Sequence, residues 1–173
     1  DELIGLRRSA RHGRDFGALV ARIPEVLRTP SGKIELAPNV FVDDLQRLTD
    51  AMTGLSEREL VLVGRRDLRS NNSWMHNINV LVKGKPRCTL HIHPDDADEL
   101  GLSQGGAATV SSRVGSVTAP VEVTDSISPG VVSLPHGWGH DVDGIKMRVA
   151  EEHAGVNSNV LTDDRAMDPL SGT

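Results

Sequence analysis

The sequence predicts a mainly β fold with short helices, arranged as a small closed barrel behind a partly helical N-terminal lead-in. Three observations predict it. Short extended runs follow one another between turn signals in the second part of the chain. The 173 residues include 17 glycines and 9 prolines, which supply many turns. Aromatic residues make up only 2% of the chain, so Val, Leu, Ile and Ala must form the core.

We expect residues 1–57 to form the lead-in, entering from a preceding domain. The composition of Phe16–Arg22 predicts about two helical turns. Asn39 is suited to cap a further helix through Val42–Met52, where apolar residues recur at helical spacing. Gly54 is expected to end that helix.

Residues 58–173 carry the strand pattern. A short helix is predicted over residues 93–102, with Pro94 in its first turn and Gly101 at its end. A hairpin turn is predicted at Val114–Ser116. Five or six strands at this spacing are typical of a small barrel. The predicted strands are Leu60–Val63, Ile78–Val82, Cys88–Ile92, Ala107–Arg113, Val117–Val123 and Val131–Leu134.

Composition argues against several classes of function. The net charge is -5 and the Lys and Arg residues are scattered, so a nucleic-acid partner is not expected. Cys88 is the one cysteine, which excludes a disulfide within the chain and a Cys-rich metal site, and we expect a buried thiol. No apolar run approaches the ~20 residues of a membrane span. We expect a cytoplasmic protein, and an export signal would precede Asp1.

The densest group of hydrogen-bond donors directly follows the first predicted strand. A diphosphate needs cations and short-range donors, and Asn and Ser tolerate the tight backbone that turns main-chain N–H groups toward an anion. The alternative is a solvated loop in which Asn and Ser only hold turns. The candidate residues are Gly64, Arg65, Arg66, Ser70, Asn71, Asn72, Ser73, Trp74, His76 and Asn77.

A second candidate site lies at residues 136–140. Gly137 lets the backbone come close to a ligand or to another loop, and Trp138 can stack on a planar heterocycle beside His136. The alternative is a zinc site, because alternation along a strand places two of the chain's histidines on one face. Its four ligands would be His91, His93, His136 and His140.

A third candidate site is Asn157–Asn159, whose amides can read the donor and acceptor edge of a pterin or purine. The alternative is a local turn held by the Asn157 side chain. Asp95 and Asp96 can likewise meet a guanine, or serve as first-turn acids of the predicted helix. No pairing of a nucleophile with a base is predicted.

Several motifs together resemble a known family. They are LVLVGRRDLRSNNSWMHN, LHIHPDDADELGL, LPHGWGH and GVNSNVLTDDRAMDPLSG, in this order. The region from Thr29 to Gly172 is similar to the C-terminal cofactor-binding domain of the molybdopterin oxidoreductases. This group contains dimethyl sulfoxide reductases, formate dehydrogenases and nitrate reductases.

The resemblance implies a double-psi β-barrel of the aspartate-decarboxylase-like kind. It also implies binding of molybdopterin guanine dinucleotide, in enzymes that hold two such cofactors around one molybdenum or tungsten. Carried over by position, the residues that would line the dinucleotide and pterin are Gly64, Arg65, Ser70–Trp74, His136, Gly137, Trp138 and Asn157, with His76 near them.

The family supplies its metal ligand and its iron–sulfur cluster from domains that precede this one. We therefore expect the chain to be a fragment whose partners are the preceding domains of the same oxidoreductase. In isolation it should be a monomer without catalytic activity. The competing interpretation is a double-psi barrel that binds a substrate or protein without cofactor.

Overall fold

The computed structural model of the protein describes residues 2–10, 12–54 and 60–172. The chain divides into two compact units, Asp1–Arg47 and Leu48–Thr173. The predicted domain boundary between residues 57 and 58 lies outside the described residues. No helix among the described residues is long and apolar enough to cross a membrane.

The N-terminal helices are α1 (Glu2–Ser9), α2 (Asn39–Asp43) and α3 (Leu45–Gly54). The helix predicted at Phe16–Arg22 is wrong, since that segment is irregular. Its apolar side chains are exposed, and Gly17 takes a positive φ of 86°. Without a packed apolar face, so short a run does not sustain a helix.

The helix predicted through Val42–Met52 is present but divided in two at Asp44. Pro38 occupies the N-cap position of α2, so the predicted cap at Asn39 is wrong and that residue is the first of the helix. Proline suits the N-terminal start of a helix, because its fixed φ is compatible with that position and the N–H group that it lacks would have no partner within the helix. The described part of α3 reaches Gly54, and the predicted end of the helix there adjoins residues 55–59, which lie outside the described residues.

The sheet of the second unit contains β1 (Val61–Arg65), β2 (Leu90–Ile92), β3 (Ala107–Ser111), β4 (Ser116–Val123) and β5 (Val131–Pro135). Its order is β1-β5-β2-β4-β3. The β1–β5 and β2–β4 pairs are parallel, whereas β2–β5 and β3–β4 are antiparallel. The predicted mainly β fold with short helices is confirmed.

The strand predicted at Ile78–Val82 is wrong, because this run forms the short helix α4 (Asn79–Val82). An apolar run this short fits helical and strand periods equally well. Here the amides of Leu81 and Val82 donate to the carbonyl of Ile78, which closes a helical turn. The remaining short elements are α5 (Pro94–Glu99), α6 (Arg148–Glu152) and a 3-10 helix (Ser158–Leu161).

The helix predicted around Pro94 is confirmed as α5. His93 is its N-cap, and the imidazole accepts a hydrogen bond from the amide of Asp95. Gly101 takes a positive φ of 66° just beyond it, as a C-terminal glycine does.

The core lies between the sheet, α5 and the 3-10 helix. It is aliphatic, as the near-absence of aromatic residues predicted. Burying each Leu, Ile or Val stabilises the fold by roughly 1.5–3 kcal/mol. The buried core residues are Leu90, Ile92, Ala97, Ala108, Ala119, Val121, Val132, Leu134 and Leu161.

Candidate functional site

The register of β1 and β5 brings two of the predicted polar loops together. The strands are parallel and Arg65 pairs with Pro135, so both strands end at the same edge of the sheet. The amide of His136 donates to the carbonyl of Arg65 at 3.2 Å, which extends the pairing past the strand ends. Residues 66–77 and 136–140 therefore leave the sheet side by side.

Asn72 forms the first contact between these two loops. Its Oδ1 lies 3.0 Å from Nε2 of His136. Gly137 has φ +86°, and a Cβ added there would overlap the carbonyl of Asn72, with the carbonyl carbon only 2.8 Å away. Both Asn71 and Asn72 have positive φ, 44° and 62°, which asparagine tolerates better than most residues. The close approach of the two backbones thus depends on glycine at position 137.

A chain of buried hydrogen bonds forms the second contact. His76 Nε2 lies 2.7 Å from Ser70 Oγ, and His76 Nδ1 lies 2.7 Å from His140 Nε2. The ring of Trp138 stacks on His76 with centroids 3.9 Å apart. All four side chains are buried, His76 with only 1% of its surface exposed. We call Ser70, His76, Trp138 and His140 the His76 cluster.

The His76 cluster is neutral at neutral pH. Burial and, to a smaller extent, the neighbouring His140 ring together lower the pKa of His76 to about 4. Burial also lowers the pKa of His140. A neutral imidazole has one donor and one acceptor nitrogen, so one of the two rings donates and the other accepts. The hydrogen bonds consequently run in one direction through the cluster.

Trp138 presents a hydrogen-bond donor that the described residues do not use. Its Nε1 is buried and has no hydrogen-bond partner among the described residues. Buried N–H groups are nearly always paired, because leaving one unpaired costs roughly 1–3 kcal/mol. An acceptor supplied from outside these residues would satisfy it.

The third predicted loop meets the second one at Gly139. This glycine has φ +101°, and a Cβ added there would lie 2.6 Å from Cβ of Asn157. The amides of Gly139 and His140 donate to the carbonyl of Ala154. Asn157 Oδ1 accepts a hydrogen bond from the amide of Asn159 at 3.0 Å. This bond forms the local turn that the sequence offered as the alternative for this loop. All three polar loops therefore converge.

The two adjacent arginines have different surroundings. Arg65 is half-buried, and its guanidinium donates to the carbonyls of Ser133 and Thr89, each at 2.9 Å. Burial lowers the pKa of Arg65. Arg66 is exposed, and so is Trp74, with 82% of its surface accessible. Arg65 thus fastens the end of β1 to the sheet, while Arg66 and Trp74 face solvent.

The remaining loop residues divide between support and exposure. Ser73 is half-buried between the exposed Asn72 and Trp74. Asn77 Oδ1 accepts from the amides of Val149 and Ala150, at 3.0 and 3.2 Å. These amides belong to the first turn of α6, so Asn77 ties the end of the loop to that helix.

A comparison with models of protein families identifies the kind of domain in which this site lies. Residues 60–173 match the model of the Molydopterin dinucleotide binding domain. The chain belongs to this family. The predicted molybdopterin dinucleotide-binding domain is thereby confirmed, and the cofactor class is a molybdopterin.

Relatives of this domain are much longer proteins. A tetrathionate reductase of Salmonella typhimurium is 29% identical over 86 residues, covering 44% of this chain and 8% of that protein. ArrA, the molybdopterin-containing part of the arsenate respiratory reductase of Chrysiogenes arsenatis, is 30% identical over 80 residues, covering 45% of this chain and 10% of that protein. The chain thus spans about a tenth of the length of these relatives.

A solved structure shares the fold of this domain. Acetylene hydratase from Pelobacter acetylenicus superposes with a TM-score of 0.56 at 23% sequence identity. The superposition covers 79% of this chain and 20% of that one. The similarity supports the mainly β fold with short helices.

The four histidines of the alternative zinc site have separate partners in this molybdopterin-binding domain. His91 Nε2 lies 3.4 Å from Glu122 Oε2, and His93 is the N-cap of α5. His136 forms a hydrogen bond with Asn72, and His140 forms one with His76. No group of three or more metal-ligating side chains occurs among the described residues. The four histidines do not assemble into the zinc site considered from the sequence.

Sequence reasoning missed a charged network on the sheet. Glu122 accepts from Lys85 at 3.0 Å and from Thr89 at 2.8 Å, and it lies beside His91. The hydrogen bonds from Lys85 and Thr89 lower the pKa of Glu122 to about 2. We call Lys85, Thr89, His91 and Glu122 the Glu122 cluster. Nothing in the local sequence indicated this cluster, because Glu122 lies more than 30 residues after the other three members.

Sequence reasoning also missed the structural role of His140. It was considered only as a zinc ligand, whereas its ring completes the His76 cluster. The available signal was the Gly-rich spacing of residues 136–140, which predicts close approach to another loop.

Proposed function

We propose that this domain holds molybdopterin guanine dinucleotide in a molybdenum or tungsten oxidoreductase, and that the three converging loops contact the cofactor. The observation that carries the proposal is the convergence itself. Segments near residues 72, 137 and 157 meet through glycine-dependent backbone contacts at the carboxyl edge of a parallel strand pair. Ligands of sheets with parallel strands bind at such edges.

The residues present fit the chemistry of this cofactor. The exposed amides and guanidinium of Asn71, Asn72 and Arg66 are suited to a diphosphate. The Nε1 donor of Trp138, which has no partner among the described residues, is suited to an acceptor on the pterin, and Asn157 lies against the adjacent Gly139. Arg65 and His76 would act by holding these groups in place, because their own donors and acceptors are used within the protein.

The remaining predicted residues are included in the proposed site for their positions on these loops. Gly64 lies in β1 shortly before the first loop, and Ser70 and Asn77 anchor that loop. Ser73 and Trp74 lie on its exposed turn, and His136 and Gly137 form the opposing wall. When bound, the metal held by the pterins supplies the redox chemistry, and the protein supplies orientation and hydrogen bonds.

The proposed setting is a larger polypeptide. The metal ligand and any iron–sulfur cluster would come from its other domains, which are the proposed partners of this one. We propose residues 1–57 as the connection to them, residues 58–173 as a double-psi barrel, a monomeric state for the isolated domain and a cytoplasmic location. The two parallel strand pairs of the sheet support the barrel topology.

The test is cofactor retention by the full-length oxidoreductase that contains this chain. Gly137→Ala would place a methyl group against Asn72 in the proposed site. Gly130→Ala is the matched control, because Gly130 also has positive φ, +77°, but nothing lies within 4 Å of its added Cβ. Pterin is measured by fluorescence after oxidation, the nucleotide by chromatography after acid hydrolysis, and metal by mass spectrometry.

We expect at least a tenfold loss of pterin and metal in Gly137→Ala, and retention in Gly130→Ala. Release of guanosine monophosphate from the unaltered enzyme would establish the guanine form, and the metal analysis would distinguish molybdenum from tungsten. An unaltered enzyme that contains neither pterin nor metal would refute the proposed function. Full retention by Gly137→Ala would refute the assignment of these loops to the cofactor.

A further inference from the structure

The turn that joins β3 to β4 packs against the segment that carries the third polar loop. We call residues 112–115 the β3–β4 turn. A Cβ added to Gly115 would lie 2.5 Å from the carbonyl oxygen of Val160 and 2.7 Å from its Cγ1. The φ of Gly115 lies outside the left-handed region. Glycine is therefore required at this position by the close approach of Val160, and not by its own backbone conformation.

An ion pair joins the same two segments a second time. Nε and Nη2 of Arg113 each donate a hydrogen bond to one of the two carboxylate oxygens of Asp163. A bidentate pair of this kind fixes the orientation of the two groups as well as their distance. The hydrogen bonds from Arg113 lower the pKa of Asp163, so the carboxylate is charged at neutral pH.

A single turn of 3-10 helix connects these contacts to Asn157. The helix spans Ser158–Leu161, and Asn157 is its N-cap. The amide of Val160 donates to the carbonyl of Asn157 at 3.2 Å, and Asp163 follows two residues after the helix. Holding Val160 and Asp163 at one end of so short a helix also limits the movement of Asn157 at the other end.

The β3–β4 turn is a firm support because the sheet holds it. The two strands pair up to Ser111 and Ser116, on either side of the turn. The amide of Ser112 donates to the carbonyl of Gly115 at 2.8 Å, which continues the ladder into the turn. On its other side β4 pairs with β2, in the middle of the core.

We propose that Arg113 is a positioning residue of the proposed cofactor site, and that with Gly115 it holds the third polar loop so that Asn157 stays against Gly139. The inference rests on the proposed function, which assigns this loop to the cofactor. An added Cβ on Gly139 would lie 2.6 Å from Cβ of Asn157, so the contact leaves little room on that side. The β3–β4 turn restrains the segment from its other end.

The exposure of Arg113 separates positioning from overall stability. Its side chain is 57% exposed, while that of Asp163 is 17% exposed. Ion pairs that water reaches contribute little to the free energy of unfolding. Loss of the pair should therefore leave the fold intact and free one end of the 3-10 helix.

The rate of pterin release from the full-length oxidoreductase tests the inference. Arg113→Ala should release pterin about fivefold faster than the unaltered enzyme, with the same midpoint of urea unfolding. Arg113→Lys should release it nearly as fast as Arg113→Ala, because an ammonium group keeps the charge but not the bidentate geometry. A rate in Arg113→Ala equal to that of the unaltered enzyme would overturn the inference.

Arg47→Ala is the matched control. Arg47 forms a bidentate pair with Asp44, and the two side chains are 53% and 21% exposed, close to the values for Arg113 and Asp163. This pair joins residues only three apart, so its loss should not change pterin release. Equal acceleration in both variants would contradict a specific role of Arg113. Absence of pterin from the unaltered enzyme would refute the proposed function, whereas pterin that Arg113→Ala releases at the unaltered rate would refute only the positioning role.

Hydrogen exchange measured by mass spectrometry locates the effect without relying on the cofactor. In Arg113→Ala the peptide covering residues 157–163 should exchange about fivefold faster, because the amides of Val160 and Thr162 lose the support of the β3–β4 turn. The peptide covering residues 94–100, which contains α5, should be unchanged. Unaltered exchange in the first peptide, or equal acceleration in both, would rule the positioning role out.

A second substitution identifies the residue through which Arg113 acts. Asn157→Asp keeps an oxygen that accepts from the amide of Asn159 but removes the donor of the side-chain amide. In that background Arg113→Ala should accelerate pterin release by less than about twofold, since the residue it positions no longer donates to the cofactor. The full fivefold acceleration there would mean that Arg113 stabilises the domain generally, and the inference would be wrong.

Discussion

The His76 cluster and the Glu122 cluster both join distant parts of the chain through polar side chains, but they lie in different surroundings. His76 is buried, with 1% of its surface exposed, and it links loops 64 residues apart. The Glu122 side chain is 23% exposed, and its partner Lys85 is 77% exposed. One network is enclosed by protein and the other is open to water.

The difference in burial determines which protonation state each network needs. Burial favours the uncharged imidazole, so the pKa of His76 falls to about 4. Hydrogen bonds from Lys85 and Thr89 favour the charged carboxylate, so the pKa of Glu122 falls to about 2. Acid therefore harms both clusters in opposite ways, by adding a charge to the first and removing one from the second.

The largest expected effect comes from breaking the backbone contact beside the His76 cluster. Gly137→Ala should lower the free energy of unfolding by about 3 kcal/mol, since a left-handed conformation costs roughly 1–2 kcal/mol outside glycine and the overlap with Asn72 adds a similar amount. Urea unfolding measures it. Gly130→Ala shares the left-handed φ without the overlap and should lose only about 1 kcal/mol. Equal losses of stability in the two variants would mean that the loop containing Asn72 moves away from residue 137 at no cost in free energy.

The next largest effect is expected from a pair of substitutions that compares the stability contributed by the His76 cluster with that contributed by the Glu122 cluster. His76→Phe should cost about 2 kcal/mol, because it leaves the buried partners Ser70 and His140 without their hydrogen bonds. His91→Phe in the Glu122 cluster should cost about 0.5 kcal/mol, because water reaches that site. Urea unfolding at pH 7 measures both losses of stability. A larger loss for His91→Phe would contradict the contrast drawn from burial.

The pH dependence follows from the lowered pKa of His76. Its folded pKa of about 4 lies below the ordinary 6.5, so the unfolded chain binds the proton first as the pH falls. The stability from His76 is fully present above pH 6.5 and is lost between about pH 6.5 and 4. One such group gives a slope of up to about 1.4 kcal/mol per pH unit. Unfolding curves across this window measure the slope.

His76→Phe should flatten that slope, while Glu122→Gln should leave it unchanged above pH 4.5. If the slope persists in His76→Phe, another buried base is responsible, and His140 would be the first to substitute, because burial lowers its pKa as well.

Local sequence patterns predicted much of the fold and the makeup of the site. Turn residues and alternating apolar residues located β1, β4 and β5 to within two residues, and clustered donors located all three polar loops. The short run at Ile78–Val82 failed because five residues do not distinguish a helical period from a strand period. A local sequence pattern carries information only about residues that are close together in the sequence.

The pairings inside the site could not be predicted in the same way. His76 meets His140 across 64 residues because β1 and β5 are parallel and in register, and that register appears only in the folded sheet. Lys85 meets Glu122 across 37 residues for a similar reason, since β2 and β4 are parallel. The residue types were predictable, whereas their partners depended on topology.

A smaller effect than that of His76→Phe is expected from a substitution at Glu122, which tests the charged side of the comparison. Glu122→Gln retains the shape of the side chain and its hydrogen bond with Thr89, but it removes the negative charge beside Lys85 and His91. At pH 7 the loss should be about 1 kcal/mol, since a partly exposed ion pair contributes little.

The sign of its pH dependence distinguishes this effect from a loss of packing. The depressed pKa of Glu122 contributes stability that is present above the ordinary value of 4.5 and is lost as the pH falls toward about 2. The difference between Glu122→Gln and the unaltered protein should therefore shrink across that window, and added salt should shrink it at pH 7. Unfolding measured at pH 7 and pH 3, with and without salt, checks both. A difference that stays constant under all four conditions would mean that Glu122 acts through its shape, and the contrast between a neutral and a charged network would then rest on the His76 cluster alone.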